Sequence, residues 1–176
     1  MNSKSFCEDK FNKFYALLQD GLLREEYRSM TRQKELFQND AYKVLFCCKD
    51  EQIVGVMALW ELDNFVFIEH FVVKSEFRGQ KIGSKMLGFI NSHFDKNVIL
   101  EVELPYNEIN KRRICFYERN GFFYNDFEYY QIPLNPLDNP LELRIMSSFK
   151  SLNKDEFSQV KSTLYDKIYN YKKMLK

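Results

Sequence analysis

The sequence predicts a mixed α/β or α+β fold, and three observations lead there. Apolar residues first recur at helical spacing, and from Tyr42 onward the pattern changes to short runs of strand formers. Helical and strand segments then alternate toward the C-terminus. Finally, the apolar run 65–73, the amphipathic stretch from Ile82 and the run 98–104 form a strand–helix–strand unit, whose length implies a parallel pair with a right-handed crossover.

In chain order, Phe11, Phe14, Tyr15 and Leu18 mark a first helix up to Gly21, and a second helical stretch is expected over 25–37. Residues 42–48 and 53–60 are rich in strand formers around the polar turn 49–52, so they predict a hairpin. The run 65–73 is apolar on both faces except at Glu69 and His70, as a covered central strand would be. A helix follows with Ile82, Met86, Phe89 and Ile90 on one stripe, ending near Phe94. Val98 to Leu104 is the next strand, stopped by Pro105. Asn107 is the candidate N-cap of a helix to Asn120, and Gly121 is its left-handed end. Strands are expected over 122–132 and 141–149. From Asn153, the positions Phe157, Val160, Leu164, Ile168, Tyr171 and Leu175 predict a terminal amphipathic helix.

The 176 residues include 45% hydrophobic and 16% aromatic residues, which suits one domain over 1–176 with a bulky core. No repeat or flexible linker divides them. Twenty-six basic and twenty-five acidic residues nearly cancel, which argues against nucleic acid or an anionic membrane as the main partner. No apolar run approaches the length of a bilayer span, and none follows Met1, so a cytoplasmic protein is expected. Cys7, Cys47, Cys48 and Cys115 lack metal-ligand spacing, and only His70 and His93 could join them. Reduced thiols and no metal are expected.

The segment Arg78-Gly79-Gln80-Lys81-Ile82-Gly83-Ser84 lies between an apolar strand and a helix start. First-turn N–H groups lack intrahelical partners and the helix dipole adds positive potential, so the segment is suited to an anion. Gly79 and Gly83 would allow close approach, and Arg78, Lys81 and Lys85 add cations. It matches neither the P-loop nor the three-glycine dinucleotide fingerprint.

The segment resembles the acetyl-CoA loop of the GNAT N-acetyltransferase superfamily, Q/R-x-x-G-x-G/A. Arg78 fills the first place, Gly83 the last, and Lys81 replaces the middle glycine. Downstream, Asn110 to Phe122 is similar to the superfamily's N-x-x-A-x-x-F-Y-x-x-x-G-F, with Arg113 in place of the small residue. The resemblance covers about residues 44–149. Helices over about 8–37 suit the superfamily layout, and 153–176 would be an extension of it.

The resemblance implies a mostly antiparallel, mixed sheet with a splayed parallel strand pair, acetyl-CoA as acetyl donor and a primary amine as acceptor. The pantetheine would pair with the backbone of Phe71 to Val73, including Val72. The pyrophosphate would lie on Arg78 to Ser84, with Asn110 and Phe116 also at the donor. Tyr117 would be the acid that protonates the leaving thiolate, or else would pack as an ordinary aromatic. Glu69 matches a frequent position of the base; burial should raise its pKa, unless it pairs with an arginine. A β-bulge, usual in this strand of the family, would change its face. Glu101 and Glu103 are alternative bases. Cys115 beside Tyr117 would allow an acyl-cysteine route, which direct transfer does not need. Lys81 and Arg113 leave open a catalytically silent acyl-CoA-binding module. The terminal helix suits a homodimer or its own domain equally well.

Overall fold

The computed structural model describes residues 3–135 and 138–169, with side chains from Glu8 onward. The layout is mixed α/β, and the chain divides into two compact units, Met1–Lys96 and Asn97–Lys176.

In the first unit α1 (Ser3–Gly21) and α2 (Met30–Leu36) precede an antiparallel meander of β1 (Tyr42–Lys49), β2 (Gln52–Glu61) and β3 (Phe65–Val73), and α3 (Ile82–His93) follows. The β1–β2 turn has positive φ at both central residues, 48° at Asp50 and 63° at Glu51, which matches the twist of a two-residue hairpin. Helix α1 packs on β2 and β3, burying Phe11, Phe14 and Leu18, with the Phe14 ring 6.4 Å from that of His70. The last residue of α1 is a glycine, Gly21, at a place where a Cβ would stand 2.3 Å from Val72 Cγ1.

The expected helix over 25–37 is split. A 3₁₀ turn at Arg24–Glu26 gives way to extended Tyr27, with φ −144° and ψ 154°, before α2 begins after Ser29. The break sends the Arg28 side chain inward, where it ion-pairs with Glu69.

In the second unit β4 (Asn97–Glu103), β6 (Leu141–Ser147) and β5 (Phe123–Gln131) pair antiparallel in that order. Helix α4 (Glu108–Arg119) packs on β4 and β5. As predicted, the Asn107 side chain caps it, accepting from Asn110 N–H at 2.8 Å, and Gly121 leaves it at φ 87°. The last helix is capped by Asn153 and Glu156 in a reciprocal box. It does not run on as one α-helix: α5 (Lys154–Thr163) widens into a π-helical stretch at Leu164–Ile168. The stripe positions Tyr171 and Leu175 lie outside the described residues. Among those residues no helix is long and apolar enough to cross a membrane.

Candidate functional site

Strand β3 carries the bulge expected of it. Ala58 pairs with His70 and Leu59 with Ile68, so Glu69 is the extra residue on the β3 side. Its side chain is 2% exposed and lies 2.5 Å from Arg28 Nη1, itself 8% exposed. His70 is buried beside it, and its Nε2 donates to the Glu26 carbonyl at 3.1 Å. Burial pushes the Glu69 carboxyl up, but the charges of Arg28 and His70 outweigh this and bring it below its ordinary value. The expected rise is therefore corrected: a buried guanidinium in hydrogen-bond contact favours the ionised form more than burial disfavours it. Burial holds His70 below its ordinary value.

Past the bulge, the strand directs alternate backbone groups to opposite edges. Lys74 N–H donates to the Val54 carbonyl at 3.0 Å, so Val72 and Lys74 turn their backbone toward β2, while Phe71 and Val73 turn theirs away. Of the three residues expected to meet the pantetheine, Val72 is thus engaged with β2, and its side chain is buried beneath Gly21.

A 3₁₀ turn at Ser75–Phe77 then leads to Arg78, whose Nε donates to the Val73 carbonyl at 3.3 Å. Gln80 is held from two sides, by Lys49 Nζ at 2.9 Å and the Glu76 carbonyl at 3.3 Å. Gly79 has φ 78° and Lys81 has φ 61°, ψ 11°. Lys81 therefore adopts the left-handed conformation in which glycine is strain-free, rather than a first-turn helical one. The first hydrogen bond of α3 is Lys85 N–H to the Lys81 carbonyl at 3.0 Å, so the N–H groups of Ile82, Gly83 and Ser84 precede any intrahelical acceptor. A Cβ on Gly79 would meet nothing within 4 Å, so the surface above the turn is open. These features fit a pyrophosphate.

In the second unit Asn110 is buried and its Nδ2 donates to the Leu104 carbonyl at 3.0 Å, which ties α4 to the end of β4. Tyr117 is buried on the same helix, with the rings of Phe116 and Phe122 at 5.3 and 5.9 Å. Cys115 is exposed. Arg113, at the place of the family's small residue, forms a close ion pair with Glu103.

Glu101 has different company. Tyr129 Oη donates a short hydrogen bond to Oε1, Gln131 Nε2 donates to Oε2 at 2.6 Å, and Tyr169 Oη reaches the two oxygens at 2.8 and 2.9 Å. Burial and the charge of Glu101 push the Tyr129 hydroxyl well above its ordinary value. Tyr129, Gln131 and Tyr169 carry no motif and were missed from sequence; only the alternation of Tyr129 and Gln131 along one face of a strand hinted at them.

Residues 40–123 match the family model of the acetyltransferase (GNAT) domain. The chain is 26% identical over 167 residues to YjbC of Bacillus subtilis (strain 168), an acetyltransferase by name, across 90% of this chain and 82% of that protein. A solved structure from Bacteroides thetaiotaomicron, described as a GNAT-family acetyltransferase, is similar with a TM-score of 0.86, 26% identity and 96% of each chain covered. At the level of fold, an aminoglycoside 6′-N-acetyltransferase complexed with coenzyme A is similar with a TM-score of 0.53 and 13% identity, over 68% of this chain and 78% of that one. Taken with the bulged strand, the left-handed turn before α3 and the Asn-capped α4, these matches make the chain similar to GNAT-family acetyltransferases, with the GNAT domain itself matched over residues 40–123.

Proposed function

We propose that the protein transfers the acetyl group of acetyl-CoA directly to a primary amine of a small molecule, peptide or protein. The observation that carries this reading is the turn before α3. Its Gly79 and Lys81 both have positive φ, and it leaves the N–H groups of Ile82, Gly83 and Ser84 for the pyrophosphate. Lys81 motivated a silent acyl-CoA-binding module, yet it takes the backbone conformation of the glycine it replaces.

The backbone of Phe71 and Val73 would meet the pantetheine, and Asn110 and Phe116 would flank the donor. Arg78 and Lys81 would add charge near the phosphates. Tyr117 is assigned as the acid. Of the three carboxylates, Glu69 is enclosed with Arg28 and Glu103 is paired with Arg113, which supports structural roles for both. Glu101 is ringed by donors that keep a carboxylate ionised, and we assign it to receive the ammonium form of the acceptor. Glu101 takes the amine proton, and the nitrogen lone pair attacks the thioester carbon to give a tetrahedral oxyanion. The carbon–sulfur bond then breaks, the thiolate takes the proton of Tyr117, and the second proton of the nitrogen restores the phenol, which leaves the neutral amide and the free thiol. No acyl-cysteine is required.

The test is thiol release from acetyl-CoA with spermidine, kanamycin, lysine and a peptide with a free N-terminus, beside calorimetric titration of acetyl-CoA. Binding with release for one of these amines, and a loss of about 10²–10⁴-fold in kcat for Tyr117→Phe with unchanged binding, is expected. Binding without release across a broad amine panel would instead support the silent module, and no binding would sink both readings.

A further inference from the structure

The π-helical stretch near the C-terminus decides which side chain reaches Glu101. Asn153 starts α5 with a satisfied cap, and the helix buries Phe157 and Val160 before Leu164. There the winding widens, and Tyr169 N–H donates to the Leu164 carbonyl at 3.1 Å, a five-residue step. In a continuous α-helix, at 3.6 residues per turn, Tyr169 would stand about 140° around the axis from Leu164. With the wider turn Leu164, Ile168 and Tyr169 are all buried, at 0, 3 and 6% exposure. The hydroxyl of Tyr169 then bridges both carboxylate oxygens of Glu101, which is 68 residues earlier in the chain.

The surroundings of that carboxylate are mostly donors. Tyr129 and Gln131 come from β5, and the Tyr165 hydroxyl points elsewhere, to the Tyr130 carbonyl at 2.6 Å. Ile145 is the cross-strand neighbour on β6. The next carboxylate on the same face of β4, Glu103, is neutralised by Arg113. Two phenols and an amide fix both oxygens, so the carboxylate keeps a single orientation and its charged form is stabilised.

We propose that Tyr169 is a positioning residue for Glu101, so that the C-terminal extension, through its π turn, completes the amine end of the catalytic machinery. This rests on the assignment of Glu101 to the acceptor made above. The phenol network depends on this winding, because a regular α-helical turn would rotate Tyr169 about the axis and displace the donor that bridges the carboxylate.

The experiment is the pH dependence of kcat/KM for wild type, Tyr169→Phe and Glu101→Gln, with the most active of the four amines named above. Acetyl-CoA binding by calorimetry certifies that each variant is folded. Loss of one hydrogen bond to a carboxylate destabilises its charged form, so the acid limb of Tyr169→Phe should move up by about one pH unit with acetyl-CoA affinity unchanged. Should Tyr169→Phe fail the binding check, Tyr129→Phe removes the other phenol and is read in the same way. An unmoved limb beside an inactive Glu101→Gln overturns the positioning role alone. Wild-type activity in Glu101→Gln overturns the assignment of Glu101, and the positioning role with it.

Discussion

Replacing Lys81 tests the turn on which the proposed donor site depends. Lys81 has φ 61° and ψ 11°, and its side chain is exposed, so substitutions there act on the backbone and on local charge without disturbing a core. An L-residue in the left-handed region is disfavoured by about 1–2 kcal/mol, a penalty that glycine escapes. Glycine gives back about 0.5–1 kcal/mol through its larger freedom in the unfolded chain. Comparing Lys81→Gly with Lys81→Ala cancels the loss of the ammonium, which both share. The glycine variant should then be the more stable by about 0.5–1 kcal/mol, or roughly 1–4 °C in Tm for a chain of this size. Urea unfolding and thermal melts measure the difference directly. At an ordinary helical dihedral the order would reverse, because alanine exceeds glycine by about 0.5–1 kcal/mol there. A more stable alanine variant would therefore refute the left-handed assignment. Titration of acetyl-CoA adds a second reading. Both variants should lose a few-fold of affinity at low salt, and the loss should shrink as salt screens the missing cation.

Three further outcomes follow from the same geometry. Gly79→Ala introduces no clash, since nothing lies within 4 Å, yet at φ 78° it should lose about 0.5–1 kcal/mol of stability by urea unfolding once the entropy returned by alanine is counted. Glu69→Gln leaves the Arg28 guanidinium buried without its counter-charge and should destabilise by about 3–5 kcal/mol, whereas an accessible, unpaired Glu69 would give a near-neutral change. His70 and Glu69 both lie below their ordinary values of 6.5 and 4.5, so each contributes stability that is complete above that value and is lost as pH falls through the folded one. Stability measured by urea unfolding should thus decline on acidification from about pH 6.5, and the part of the decline between 6.5 and 4.5 should be smaller in His70→Gln.

Much of the frame was legible because its signals are local. The apolar run 65–73 became β3 over the same nine residues, and Asn107 and Gly121 bound α4 as their side-chain and backbone chemistry requires. The two partial motifs, Arg78 to Gly83 and Asn110 to Phe122, in that order around the strand between them, carried the resemblance to the superfamily. The second N-terminal helix was misjudged because apolar spacing says nothing about a buried charge. Arg28 meets Glu69 across 41 positions, and the helix breaks to let it do so. The same pairing overturned the expected pKa of Glu69.

Local chemistry, encoded in neighbouring residues, thus specified most of the elements, the caps and the glycine-bearing turn before α3, while the bulge in β3 was expected only from the resemblance. Whether Lys81 would accept a glycine conformation, which carboxylate would be sealed by a guanidinium and which would be ringed by tyrosines, and where the last helix would widen were settled by the folded chain. Each depends on groups brought together over long separations, up to the 68 positions between Glu101 and Tyr169. Spacing along the chain carries no record of such meetings, because burial, charge pairing and hydrogen-bond satisfaction come into being only when the elements pack.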